Sequence, residues 1–253
     1  MIKISFEGTI MGDNKLIILT ERKYSMWKKM WIMTQEWHHV LFLHWPVSPE
    51  HVREHIPPEL ELDLYEGKAW IGFVFFRVKG NRPRFIPPLP GMRTFLELNV
   101  RTYVTYKGKA GVHFFSLDAN HPFIVQMASF GDFLPYRDAE IYFKKDKKSL
   151  SIDSKCYYQN ESFLTTFEPI ANFIQSTRLS TWLTERYYLW TKTKGRLFRV
   201  EISHSPWRLQ NVTGVVYQNT MASFMKGNYK IERPLAHYSR LKKAKFYPPV
   251  LEN

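Results

Sequence analysis

The sequence predicts a single, predominantly β domain of the α+β class, closed like a barrel and carrying a few short helices. Three observations predict it. Apolar and polar residues alternate with period two through TFLELNVRTYV, residues 94–104, as in a strand with two distinct faces. Short runs rich in Val, Ile, Phe, Tyr and Trp recur along the chain, without a low-complexity linker or a fixed-period repeat. So many strands leave exposed edges unless the sheet closes on itself. The third observation is composition: of 253 residues, 44% are hydrophobic and 16% aromatic, enough for a core without staples and too apolar for disorder.

The elements follow in order. Residues 1–25 read as an N-terminal extension, a short strand pair around Gly12-Asp13-Asn14 with little to pack on, and the domain proper runs from Met26 to Asn253. HWPVSPEHVREHIPPEL starts a helix: Ser48 suits the N-cap, Pro49 the first helical position, Val47 can staple onto Val52, and Pro57-Pro58 ends it. ELELDLYEGKAWIGFVFFRV reads as a hairpin turning at Glu66-Gly67, its second strand apolar enough to be buried on both faces. NRPRFIPPLPG is a proline-rich loop long enough for a rim or lid. TFLELNVRTYV, a KGKAG turn and VHFFSLDA form a strand pair, and NHPFIVQMASFGDF a helix with Pro122 near its start. LPYRDAEIYFKKD and LSIDSKCYYQ pair around KKS. TRLSTWLTERYYLW reads as a helix capped by Ser180 running into an aromatic strand. GRLFRVEISH is a strand, SPWRLQ a turn or short helix, VTGVVYQ a strand, and AHYSRLKKAKFYP a closing strand with its basic residues on the exposed side.

Several function classes find no support. The single cysteine, Cys156, allows no internal disulfide or thiolate-rich metal cluster and fits a reducing compartment. No apolar run approaches the ~20 residues of a spanning helix, so the expectation is a soluble, cytoplasmic protein without a membrane partner. The net charge of +13 invites nucleic acid. Yet the basic runs KKDKK (144–148), KTKGR (192–196) and LKKAK, ending at Lys245, read as solvated turns and strand edges. His51-Val-Arg-Glu54-His55 matches a short zinc signature, but on a helix of barely two turns it reads as surface histidines. No metal or cofactor is expected. Cys156 reads as a buried thiol, and Glu185-Arg186-Tyr187 with His204-Ser-Pro-Trp207 as ion pairs capped by rings.

The candidate site comes from the strand at 94–104. Leu96, Leu98 and Val100 share one face; Phe95, Glu97, Asn99, Arg101 and Tyr103 share the other. Glu97 and Arg101, four residues apart, lie ~13–14 Å apart along the strand and do not pair directly. A solvated face normally offers Lys, Thr or Glu. Asn, Arg and Tyr beside Phe are instead the residue types of a binding cavity, and Pro135-Tyr136-Arg137 supplies a second phenol and guanidinium.

HWPV, IPPELELDLYEGKAWIGFVFF, FLELNVRTYV, GKAGVHFFSLDA, LPYRDA, LTERYYLW and HSPWRLQ, in that order, resemble the DUF2071 family of uncharacterised bacterial proteins, the YqjF-like proteins. The resemblance spans about Trp27 to Tyr247. It implies an acetoacetate decarboxylase-like fold, a β-cone or barrel around a cavity. It also places the decarboxylases' strand glutamate at Glu97 and their Pro-Lys-Lys at Pro135-Tyr136-Arg137. The Schiff-base amine is therefore missing at Tyr136. What the resemblance implies is a small-molecule-binding protein with a decarboxylase-like cavity and no Schiff-base lysine. Glu97 and Tyr136 would be the chemical pair, with Tyr136 a general acid if any reaction occurs. Arg101 or Arg137 would hold a small anionic or aromatic ligand, Asn99 and Tyr103 would line the site, and Trp45 and Phe95 would wall it. The alternatives are a lysine-free lyase or related enzyme for a small keto or aromatic acid, and non-specific nucleic-acid association. A monomer or small homo-oligomer is expected.

Overall fold

The computed structural model describes residues 30–85, 94–129, 132–225 and 233–252. The expected extension at 1–25 and most of the proline-rich loop lie outside these residues. The chain is mainly strand. In order, the strands are β1 (Met33–Val47), β2 (Glu61–Leu62), β3 (Ala69–Pro83), β4 (Thr94–Tyr106), β5 (Lys109–Ala119), β6 (Tyr136–Asp138) and β7 (Glu140–Asp146). There follow β8 (Ser149–Cys156), β9 (Glu161–Phe173), β10 (Tyr188–Thr193), β11 (Arg196–Ser203), β12 (Gln210–Asn219), β13 (Leu235–Phe246) and β14 (Val250–Leu251). Among the described residues, three short α-helices interrupt them: α1 (Pro49–Arg53), α2 (Pro122–Ala128) and α3 (Arg178–Thr184).

All strands belong to one sheet, and the sheet closes. Strands β10-β5-β4-β3-β1-β13 are neighbours in that order, and β11 pairs with both β10 and β13. The closing contact is Ile202 opposite Phe246 and Ser203 opposite Lys245. The other end of β13 pairs with β12, and β12-β9-β8-β7 continue as a second layer. Ile152, Phe163 and Phe167 of that layer share a core with Leu43, Phe73 and Leu98 of the ring. The ring strands β3 and β4 are therefore apolar or engaged on both faces, as expected for strands covered on two sides.

Local chemistry explains the turns and caps. Ser48 is the N-cap of α1 in extended conformation with Pro49 inside the helix, although the Ser48 hydroxyl turns to Glu50 rather than to the backbone. Val47 and Val52 are both buried in the same core, as a staple requires. Lys107-Gly108 and Lys194-Gly195 take positive φ at hairpin tips, which places the KTKGR run at a turn; Lys144 and Lys145 are exposed beside another.

The structure corrects several expectations. Glu66-Gly67 does turn the chain, but only the Tyr65–Lys68 bridge closes there; β2 pairs with β4 instead of β3. LPYRDAEIYFKKD is two strands, because β6 pairs in parallel with β5 before β7 begins its hairpin with β8. The cap of α3 is Thr177, and Ser180 is its capping-box partner three residues on. SPWRLQ forms neither helix nor regular turn. β1 and β9 are strands that the alternation rule did not single out. In β1 the reason is visible: relative to β3 it holds one extra residue between His38 and Leu41, and His39 sits at φ 56°. β13 stays in step with β1 through this bulge, so Lys242 faces inward opposite Trp37. It is buried rather than solvated, and its ammonium donates to the Ser205 carbonyl, the Ser205 hydroxyl and the Pro206 carbonyl.

Ring closure is tightest where β5 meets β10. A Cβ at Gly111 would lie 2.5 Å from the Tyr188 carbonyl oxygen and 2.7 Å from Trp190 Nε1. Gly111→Ala is therefore expected to destabilise the fold by about 1–3 kcal/mol through overpacking, read as a lower urea midpoint. An unchanged midpoint would show that the β5–β10 junction is looser than drawn.

Candidate functional site

β4 presents its Leu96, Leu98 and Val100 side to the core shared with the second layer. Its other side carries Phe95, Glu97, Asn99, Arg101 and Tyr103, and this side is also covered. Phe95 belongs to an apolar cluster at one end with Phe42, Val74 and Trp207. Tyr103 belongs to another at the opposite end with Trp70 and Leu183. Between them Glu97 is 4% and Asn99 2% exposed, so the polar stripe of the sequence is an interior one.

Burial demands partners for these groups. Asn99 Nδ2 donates to Glu97 Oε1 at 3.1 Å, and the Tyr136 hydroxyl donates to Glu97 Oε2 at 2.9 Å. Burial pushes the Glu97 carboxyl up to about 7, against these two hydrogen bonds, which favour the charged form; nearby Asp118 adds repulsion. Tyr136 is held well above the usual phenol range by burial and by Glu97, and so acts as the donor of the pair. It reaches Glu97 because β6 lies parallel to β5, with Tyr136 opposite Leu117. Glu97 and Tyr136 thus meet in direct contact, where the sequence suggested a cavity between them.

Alternation along β6 sends Arg137 to the other side. Its guanidinium grips Asp118 through Nε (2.6 Å) and Nη2 (3.0 Å), and Nη1 reaches Glu161 at 2.6 Å. Glu161 also accepts from the Ser223 amide and hydroxyl. Arg137 is thereby a brace among β6, β5 and β9, with its donors spent on protein carboxylates. Trp45 likewise does not reach the Glu97 face. It lines a pocket of about 550 Å³ between β1, β9, β12 and β13 with Leu43, Phe167 and Val212. Phe95 is on the Glu97 face, at the end where it meets His121.

What faces the site from β1 is the residue before Trp45. His44 lies opposite Gly72 of β3, and Gly72 lies opposite Arg101 of β4. His44 is fully buried, and neither ring nitrogen has a hydrogen-bond partner among the described residues. The Arg101 guanidinium lies 5.9 Å from the Phe42 and Tyr103 rings, forms no ion pair among the described residues, and has a buried Nε without a partner. The Tyr103 hydroxyl, Asn99 Oδ1 and His237 Nδ1 are also buried without a normal hydrogen bond. His237 neighbours Phe42 across the β1–β13 ladder. Arg186, on the far side of Tyr103, is by contrast paired with Asp63 and stacked on Trp182. One face of the sheet therefore gathers an unpaired cation, a neutral imidazole and a carboxyl titrating near neutrality. His44 stands in the quoted HWPV segment, but choosing it over Trp45 requires the phase of β1, which the bulge reverses.

The Glu97 environment has a consequence for stability. Its folded-state value lies above the ordinary carboxyl value of 4.5, so the folded protein keeps a proton that the unfolded chain releases. Stability from this group is fully present below about pH 4.5 and is lost as pH rises through about 7, a fall of order 3 kcal/mol. In Glu97→Gln that fall should vanish, so that the variant gains on the wild type between pH 4.5 and 7.5 in denaturant titrations. Parallel profiles would mean that Glu97 titrates as an ordinary carboxyl.

Known structures share the fold. The enduracididine biosynthesis enzyme MppR, in its complex with pyruvate, superposes with a TM-score of 0.63 at 13% identity over 87% of this chain and 89% of its own. Acetoacetate decarboxylase of Legionella pneumophila superposes at 0.62 with 14% identity, covering 100% of this chain and 98% of its own. An acetoacetate decarboxylase-like enzyme from Sphingomonas wittichii RW1 gives 0.62 at 8% identity, covering 88% and 93%. The fold is acetoacetate decarboxylase-like. In sequence, the uncharacterized protein YqjF of Bacillus subtilis (strain 168) is 40% identical over 222 residues, covering 87% of this chain and 92% of its own. The model of the DUF2071 family, described as an uncharacterized conserved protein, matches residues 34–242. With most of its length matched in this way, the chain belongs to the DUF2071 family.

Proposed function

We propose that this protein binds a small carboxylate on the Glu97 face of β4, with Arg101 as the anchor and the Glu97–Tyr136 pair on the same face. The observation that carries the reading is the concentration of buried, unpartnered polar atoms on one face: both nitrogens of His44, Arg101 Nε, the Tyr103 hydroxyl and Asn99 Oδ1. Leaving such groups unsatisfied costs ~1–3 kcal/mol each, and a bound anion with its water meets that demand. A guanidinium without a carboxylate partner suits a carboxylate ligand in particular. The pyruvate held by the similarly folded MppR supports a ligand of this size.

The binding does not use a Schiff base. Tyr136 stands where the resemblance puts the decarboxylases' lysine and has no amine. Lys144 and Lys145 are exposed, and Lys242, the buried lysine of the same face, has its ammonium engaged by three oxygens and set against the Trp207 ring. A second reading, a lysine-free lyase acting on a small keto or aromatic acid, is favoured by one observation: a carboxyl near pH 7 hydrogen-bonded to a phenol is equipped to take up and return a proton. Turnover lost in Glu97→Gln, with binding kept, would select it. The buried free thiol of Cys156 and the want of any helix long and apolar enough to cross a membrane among the described residues fit a cytoplasmic setting.

Two measurements test the proposal. A thermal-shift screen over pyruvate, acetoacetate, benzoate and other small carboxylates should find a stabilising ligand, worth about 2.7 kcal/mol at a hundred times its Kd. Arg101→Met should abolish that stabilisation while melting cooperatively without ligand; unfolding, or undiminished binding, would make Arg101 a structural residue. Acetoacetate followed by borohydride should leave the mass of the protein unchanged. An adduct on any lysine would overturn the Schiff-base-free reading.

A further inference from the structure

The pocket that Trp45 lines takes no part in the Glu97 face, and it exists because the sheet splits beside it. β12 pairs with β13 only through Gln210 with Tyr238 and Asn211 with His237, and from Val212 onward it follows β9 instead. β13 stays with β1, where Ala236 lies opposite Leu43 and Leu235 opposite His44. The two halves part, and a cleft of about 550 Å³ opens between them. Its floor is apolar and belongs to the core. Leu43, Trp45 and Phe167 are at most 4% exposed, and Val212 and Val216 pack at the sides. Thr165 also lines the floor, but its hydroxyl donates to the Val215 carbonyl at 2.9 Å.

Polar groups stand at the mouth instead. Arg233 and Asn211 are both exposed there, and Arg233 forms no ion pair among the described residues. No Asp or Glu is among the described residues that line the cleft. Close-packed interiors leave few voids larger than a water molecule, whereas concave spaces of ~300–1,000 Å³ with apolar walls and a few polar groups are the usual form of small-molecule sites. Here polarity is divided by depth, with an apolar end against the core and a single cation at the solvent end. We propose that this cleft is a second ligand site, for an amphipathic organic acid whose hydrocarbon chain lies against Trp45 and Phe167 and whose carboxylate meets Arg233. A guanidinium gives a carboxylate two parallel hydrogen bonds, and the half-open mouth leaves the rest of the head group in water. The site is independent of the carboxylate reading on the Glu97 face, because Trp45 joins the core while His44, its neighbour on β1, turns to Tyr103 on the other side of the sheet.

Calorimetric titration with hexanoate, octanoate and octan-1-ol, all below micellar concentration, tests the assignment. A buried methylene contributes about threefold to fourfold in affinity, so octanoate should bind the wild type about tenfold more tightly than hexanoate. Octan-1-ol, which lacks the charge, should bind at least tenfold more weakly than octanoate. Arg233→Gln should bring octanoate and octan-1-ol within threefold of one another. Val216→Phe, which fills the cleft, should weaken both at least tenfold, and Arg101→Met should leave octanoate binding as it is in the wild type. Equal affinity for hexanoate and octanoate takes the chain out of the cleft and overturns the proposal. So does octanoate binding that survives Arg233→Gln or Val216→Phe undiminished. Octanoate binding lost in Arg101→Met moves the acid to the Glu97 face; it overturns the second site and leaves the first reading standing. Absence of octanoate binding overturns the second site alone. If Val216→Phe fails to fold, Arg233→Gln, at an exposed position, carries the test by itself.

Discussion

A carboxyl group buried in a strand that is covered on both faces must be answered by its neighbours, and much of the arrangement around β4 is that answer. Glu97 has no route to water through the second layer, because Leu96 and Leu98 beside it are committed to the core there. Its oxygens are met by Asn99, two residues along the same face, and by Tyr136, brought from a separate strand. Delivering Tyr136 requires β6 to lie parallel to β5, an arrangement of three residues with few ladder bonds of its own. Arg137 compensates by tying β6 to Asp118 and Glu161. A buried ion pair of this kind is weak evidence for stability, since desolvation opposes the attraction. Its value here is positional: it fixes the strand that carries the phenol.

The same constraint separates two kinds of polar residue. Arg137, Arg186 and Lys242 each have acceptors within hydrogen-bond distance, and each fastens one element to another. His44 has none among the described residues, and Arg101 reaches only the Tyr103 hydroxyl of its own strand, so neither fastens one element to another. A fold maintained only for its own sake would gain by replacing such a pair with apolar side chains of similar volume. They sit between two aromatic clusters, on the face proposed here for ligand binding.

How far the sequence revealed this depends on the range over which each cause acts. The two-sided character of β4, the helix starts at Pro49 and Pro122, and the Lys-Gly hairpin tips are governed by residues within a few positions of one another, and these were legible. The meeting of Glu97 with Tyr136 was legible only through family resemblance, because nothing local signals a 39-residue contact. Nothing local points Arg137 at its partners, since Asp118 and Glu161 lie 19 and 24 residues away. Ser180 and Thr177 are both good capping residues, and only the hydrogen bonds distinguish the cap from its partner. The burial of Lys242 is likewise invisible to composition, which does not see the Ser205 and Pro206 carbonyls turning towards it.

The extra residue of β1 gives the molecule a parity. Up to Trp37 the odd-numbered side chains of β1 look into the Glu97 side of the sheet; from Val40 onward the even-numbered ones do. One residue near His39 therefore decides whether His44 or Trp45 is presented to Arg101. His39 itself faces away: its own imidazole turns to Tyr238 and Phe143 on the opposite face. Two relatives that match at every site-facing letter could differ in what they present there, merely by the presence or absence of a single position at 38–41. In comparing such chains, where a gap is drawn in this stretch carries more chemical meaning than most substitutions.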